Sequence, residues 1–249
     1  MPSHYSNVGF PIENEEQYRQ TAEYAAHAGK IIPVTGGAYI RWEAGEGVEL
    51  WVQIAGDEDV VGVNPHFQGA SRIKLGLVEK VDRSADSPFD GGFHAYASPS
   101  EKEVGGDTPF VFDTPDARRY EDLPLPVIVE ASICGFAHQF VGYKTEGAYR
   151  TAQPEFKLSV GAFQKLANAP DAPEGAPPDA FARLTGVVVA TELRVNPYTK
   201  APFRWAQLAV PGGEIDVVAD PEIVMGDEIG PGSVVDGLFW LSGRVMKTF

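Results

Sequence analysis

The sequence predicts an α+β chain dominated by strands: a βαβββ-type N-terminal domain followed by a small all-β unit. Three observations carry this. Apolar residues recur at every second position through most of the chain. A single convincing stretch, near residues 14–28, has helical spacing with suitable residues at both ends. Gly 27 and Pro 20 make up about a fifth of the 249 residues, a density of turn formers that favours short strands.

Tyr5–Ile12 reads as a first strand. The helix that follows is capped by Asn14, with Gln17 placed for a capping box and Gly29 just past the end. Tyr18, Ala22, Ala25 and Ala26 form its apolar stripe, and the alanines imply close packing on a sheet. Strands are then predicted near Ala38–Glu43, Val48–Ala55 and Val60–Phe67, turning at Gly45-Glu46-Gly47 and Gly56-Asp57-Glu58-Asp59. In Val48–Ala55 the alternation commits Val48, Leu50, Val52 and Ile54 to a core, with Glu49, Trp51 and Gln53 opposite. Further strands fall at Ser71–Val81, Phe93–Ser98, Pro109–Asp113 and Pro126–Phe136, separated by turn-rich insertions at Asp82–Gly92 and Asp113–Leu125. Ser159–Leu166 reads as a short helix.

Residues 168–180 (NAPDAPEGAPPDA) hold four prolines among alanines and acidic residues, a composition suited to an extended linker. This divides the chain into 1–167, readable as one unit or as two modules 1–70 and 71–150, and 181–249. In the second part Leu184–Val195 and Phe203–Val210 make a long hairpin, Gly212-Gly213 turns into Glu214–Ala219, and Ser233–Met246 is the last strand region.

Hydrophobic residues are 43% and charged residues 22%, enough for a substantial core. Against 20 Lys plus Arg stand 35 Asp plus Glu, for a formal net charge of -15. Duplex nucleic acid is an unfavourable partner for such a chain, because affinity for it rests on cations that displace counterions. The lone cysteine, Cys134, excludes an internal disulfide. It sits four residues from His138 in a strand-like run, about 13 Å away, too far for a nucleophile–base pair. There is no signal peptide and no run of 18 apolar residues, so a membrane is not expected and the cytoplasm is the expected compartment. Phosphate-loop, dinucleotide, G-x-S-x-G and H-E-x-x-H motifs are absent from the sequence. His27 on the helix and the Asp57–Asp59 turn read as solvated surface.

The order strand, helix, three strands over His4–Phe67 resembles the module of the glyoxalase/bleomycin-resistance (vicinal oxygen chelate) superfamily, and the resemblance extends over about residues 1–150. It implies curled sheets pairing into a cup for a metal or small ligand. The family's ligand positions fall on or near His4, His66, Lys74 and Glu130. A charged Lys74 has no lone pair to give, which leaves His4, His66 and Glu130 as candidate ligands for a divalent metal. A metal-free cup would be lined by Tyr39, Arg41, Trp51, Phe67, His94 and Tyr96.

The strand order of 181–249, with Gly186 in its first strand and the Gly-Gly turn before Glu214, resembles an OB-fold barrel, although four strand regions are evident where five are expected. Its hairpin gathers Arg194, Tyr198, Lys200, Phe203, Arg204 and Trp205, the chain's basic-aromatic cluster. In OB proteins that region contacts single strands or partner proteins. The leading functional expectation is non-catalytic binding of a small molecule or partner, with no assignable reaction and no required cofactor. Two alternatives follow from the resemblances: a metal-dependent lyase or dioxygenase-type enzyme, and a single-stranded nucleic-acid or protein binder using the OB-like hairpin.

Overall fold

The computed structural model describes residues 3–56, 59–101, 103–106, 108–152, 158–166, 168 and 175–249. The predicted first strand is absent: Ser6–Val8 is a single 3-10 turn closed by Gly9 at φ 74°. Asn7 explains the departure. Its buried side chain donates to the Ala137 carbonyl at 2.9 Å and accepts from Asp220 N–H at 2.8 Å, which pins the segment as a plug instead of a ladder rung. The N-terminal order is therefore helix then four strands, not βαβββ.

Helix α1 (Glu15–Ala28) begins where the cap predicts, with the Asn14 side chain accepting from Gln17 N–H at 3.0 Å. The Gln17 side chain reaches back one residue further than a standard box, to Glu13 N–H. Ala22 and Ala25 are buried, and the helix packs on the second and third strands. Strands β1 (Lys30–Val34), β2 (Gly37–Gly45), β3 (Val48–Ala55) and β4 (Val60–Phe67) form an antiparallel meander in chain order. β1 escaped the sequence reading because Pro33 interrupts it. It is an edge strand, where a missing N–H is tolerated. β3 is buried on both faces, for Glu49, Trp51 and Gln53 are as enclosed as Val48, Leu50 and Val52.

A ten-stranded sheet takes up the rest: β5 (Ile73–Asp82), β6 (Gly91–Ala97), β7 (Thr108–Asp113), β8 (Val127–Tyr143), β9 (Phe163–Lys165), β10 (Phe181–Val195), β11 (Pro202–Val210), β12 (Gly213–Ala219), β13 (Val224–Gly226) and β14 (Val234–Thr248). A short helix α2 (Glu146–Thr151) follows β8. β9 stands where a short helix was predicted, paired with Ala182–Leu184 of β10.

Strand pairings run in two circuits of five. One goes β5–β6–β7–β14–β8 and back to β5, the other β10–β11–β12–β8–β14 and back to β10. Each contains one parallel step, β7–β14 at Asp113↔Ser242 and β12–β8 at Asp216–Val218↔Cys134–Phe136. The long antiparallel pair β8–β14 belongs to both. Gly213, at φ 149°, lets β12 reach β5, since a Cβ there would lie 2.3 Å from the Arg72 carbonyl oxygen.

This topology overrides the predicted boundary. Residues 169–174 of the expected linker lie outside the described residues. Beyond them Pro178 accepts from Arg83 at 2.7 Å and Ala180 from Leu241 N–H at 2.8 Å, so the strand-ward half of 168–180 is packed. Residues 1–167 and 181–249 share a sheet. One core, including Leu75, Phe93, Phe110, Phe140, Leu208 and Phe239, lies among these strands. A second lies between α1, the meander and the Cys134–Phe136 stretch.

Candidate functional site: an acidic cleft

The cleft lies where β4, the β5–β6 connection, the end of β7, the stretch 179–181 and β14 meet. It encloses about 210 Å³. Asp90 stands on one wall, one carboxylate oxygen accepting from the side-chain amides of Gln53 and of Asn64, the latter at 2.8 Å. Ser87 donates to Gln53 Oε1 at 2.6 Å and so fixes the amide that fixes Asp90. Asp113 is held at both oxygens, by Arg83 Nε at 3.0 Å and Trp240 Nε1 at 2.8 Å. Burial pushes the Asp113 carboxyl upward, and Arg83 opposes that. Asp86 and Asp179 complete the acidic lining. Among the described residues, no ion pair involves Asp86, Asp90 or Asp179, so Arg83 offsets one carboxylate of four.

The aromatic wall is His4 stacked on Trp240, ring centroids 4.2 Å apart and 7° from parallel, beside Phe181. His4 Nε2 lies 2.9 Å from His138 Nε2. Burial and then His138 push the His4 imidazole down to about 4, and burial also lowers His138. At the floor Ser242 Oγ meets His66 Nδ1 at 2.9 Å. Burial, reinforced by Arg244, takes His66 down to about 3, so this imidazole is a poor proton acceptor for the serine.

Behind the floor is a largely buried polar knot. Trp51 Nε1 donates to Glu49 at 2.8 Å, and Arg244 lies 4.8 Å over the Trp51 ring. Arg244 pairs with Asp116 at 3.3 Å and Glu49 at 3.9 Å, while Arg41 reaches Glu49 at 3.8 Å.

The candidate residues from the sequence are dispersed by the fold. Tyr39 and Trp51 are core residues packed with Phe89, and the Tyr39 hydroxyl donates to the Phe89 carbonyl at 2.7 Å. Arg41 belongs to the knot. Phe67 is buried beneath Arg194, whereas His94 and Tyr96 lie on β6 with partial exposure. None of these six lines the cleft, so the predicted cup is corrected. The metal set does not assemble either. Glu130 pairs in register with Lys74 and Lys247, and no group of three or more His, Cys, Asp or Glu suited to a metal occurs among the described residues. Cys134 is buried, its thiol pushed up by desolvation.

Much of the basic-aromatic hairpin is engaged in internal contacts, although Tyr198 and Lys200 remain exposed. Tyr198 packs against Tyr24 and Trp42, Phe203 is fully buried, and Arg194 lies 4.0 Å over Trp205, whose indole donates to Asp216 at 2.8 Å. Lys200 donates to the Pro197 carbonyl, and Asn196 ties the loop to the Val8 carbonyl at 2.8 Å. Arg204 is half-buried on β11.

Asp90, Asp113, Arg83, Asn64 and Trp240 were missed as site residues. A signal for three of them existed: Arg83 and Asp90 lie in one predicted turn-rich insertion and Asp113 opens the other, and functional groups concentrate on such segments. No helix among the described residues is long and apolar enough to cross a membrane. The chain matches no protein-family model, no curated protein and no solved structure.

Proposed function

We propose that the protein is a non-catalytic binding protein for a small molecule carrying a positive charge, held in the cleft beside Asp90. The observation that carries this is the state of Asp90. One oxygen is fixed by two amide donors, and no partner among the described residues takes the other. Such pre-organisation means that a ligand cation meets an oriented carboxylate without first ordering it. Asp86 and Asp179 add uncompensated negative charge, and the His4–Trp240 stack offers apolar area beside the charge.

A thermal-shift screen tests this reading. Primary amines and guanidinium compounds should raise the midpoint, matched carboxylates should not, and Asp90→Asn should abolish the effect. Equal shifts in wild type and Asp90→Asn, or no shift with any cation, would overturn it.

The OB-like reading of 181–249 stands in altered form as a proposal. Support comes from the circuit β10–β11–β12–β8–β14, in which β8 supplies the fifth strand missing from the C-terminal sequence. The glyoxalase-like reading is left with a helix and an antiparallel meander, and its metal chemistry is not extended to this chain.

A further inference from the structure

We propose that the ligand of the acidic cleft is an amphiphilic cation, an ammonium or guanidinium group on an apolar alkyl tail, whose tail fills a second chamber adjoining Asp90. The inference rests on the cation reading above and adds the chemistry of the ligand's other end.

The second chamber encloses about 440 Å³, against about 210 Å³ for the cleft, and Asp90, Gly91 and Thr114 stand in the walls of both. No side chain rises from the shared wall at Gly91, where a Cβ would already lie 3.0 Å from Ala117 Cβ. From there the chamber follows β6 to Phe93, beside the β5 partners Asp82, Val81 and Lys80. Two residue steps along a strand are roughly 7 Å, the reach of a short alkyl chain.

The two chambers differ in chemistry. The cleft beyond Asp90 holds Asp86, Asp113 and Asp179, so an apolar tail laid there would strip water from carboxylates. The second chamber presents Val81, Phe93, Ala117 and Tyr120, with the Phe93 and Tyr120 rings edge to face at 5.7 Å. Its charged groups are engaged by the protein itself. Lys80 Nζ donates to the Glu121 carbonyl at 2.6 Å, and Asp82 accepts from Ser84 N–H at 2.8 Å. Arg118 donates to the Pro88 carbonyl at 2.7 Å and pairs with Glu121. Lys80 and Arg118 line this chamber and not the cleft, so they disfavour a cationic head at this end and direct it to Asp90.

Isotope-labelled full-length protein should be titrated by NMR with ethylammonium and, separately, hexylammonium. Hexylammonium should bind at least tenfold tighter, since each buried methylene contributes roughly a factor of three to four. Asp90→Asn should remove the binding of both. Ala117→Leu, which places a larger side chain in the chamber, should reduce the ratio between the two amines to below about threefold. In unmutated protein the terminal methyl of hexylammonium should give cross-relaxation peaks with the rings of Phe93 and Tyr120, which tests the site even if a variant fails to fold. Equal affinity for the two amines, or methyl contacts with His4 and Trp240 alone, would overturn the tail assignment and leave the cation reading standing. Absence of binding by either amine would overturn both.

Discussion

Two polar clusters lie on either side of Ser242, and they solve opposite problems. In the knot behind the floor, the buried Glu49 and Asp116 face Arg244 and a partly exposed Arg41, and every carboxylate has a guanidinium within 4 Å. In the cleft in front, four carboxylates share Arg83, and three of them have no ion-pair partner among the described residues. A buried charge is tolerable only when paired, so the knot is a structural commitment whose members cannot be removed singly. An unpaired carboxylate at a wetted wall costs little while water solvates it, and it becomes useful when a cation replaces the water. The same residue type therefore secures the fold in one place and remains available for binding in the other.

The comparison breaks most visibly at Arg244. Arg244→Leu should destabilise the protein by about 3 kcal/mol, the low end for breaking a buried pair, since Glu49 and Asp116 lose their shared partner but keep Arg41 at 3.8 Å and Arg119 at 3.0 Å. Urea unfolding at neutral pH measures this, and a loss below about 1 kcal/mol would show that the knot is solvated. His66 gives the next effect. Its folded value is depressed to about 3 from an ordinary 6.5, so its contribution is present above pH 6.5 and declines as pH falls towards 3. Between pH 6.5 and 4.5 that decline is about 2 kcal/mol. His66→Gln should flatten the acid limb of stability against pH by roughly that amount, and an unchanged slope would contradict the depressed value. The smallest effect belongs to the cleft. Asp90→Asn keeps an acceptor for Gln53 or Asn64, so stability should change by less than about 1 kcal/mol, even though cation binding is lost. A large destabilisation there would make Asp90 a structural residue like those of the knot.

Legibility in the sequence followed the range of the interactions. Val48–Ala55 and Val60–Phe67 are read to the residue, because alternation and a Gly-rich turn are local signals. The helix is likewise read from Asn14 at one end and Gly29 at the other. Tyr5–Ile12 misled because its apolar residues are buried by Asn7 and its distant partners rather than by a ladder. β8 was cut short at Phe136, although it continues to Tyr143. Most of its side chains are buried on both faces, which blurs the alternation. The cleft was the least legible feature. Its walls come from residues 4, 64, 83–91, 113–115, 179–181 and 240–242, and no spacing rule joins positions that far apart. His4 was singled out in the sequence, yet its partner His138 emerged only as a neighbour of Cys134.

The shared pair β8–β14 also sets the order in which the chain can fold. β14 completes both circuits, and it begins some ninety residues after β8 ends. During synthesis β5, β6 and β7 can pair with one another and with β8, but one long edge of β8 stays unsatisfied until Val234–Thr248 has left the ribosome. Closing so long a loop delays the rewarding contacts, which is the topology associated with slow folding. Meanwhile the waiting edge of β8 is a template for another chain. Premature termination before β14 would thus expose an adhesive strand and leave both circuits open at once.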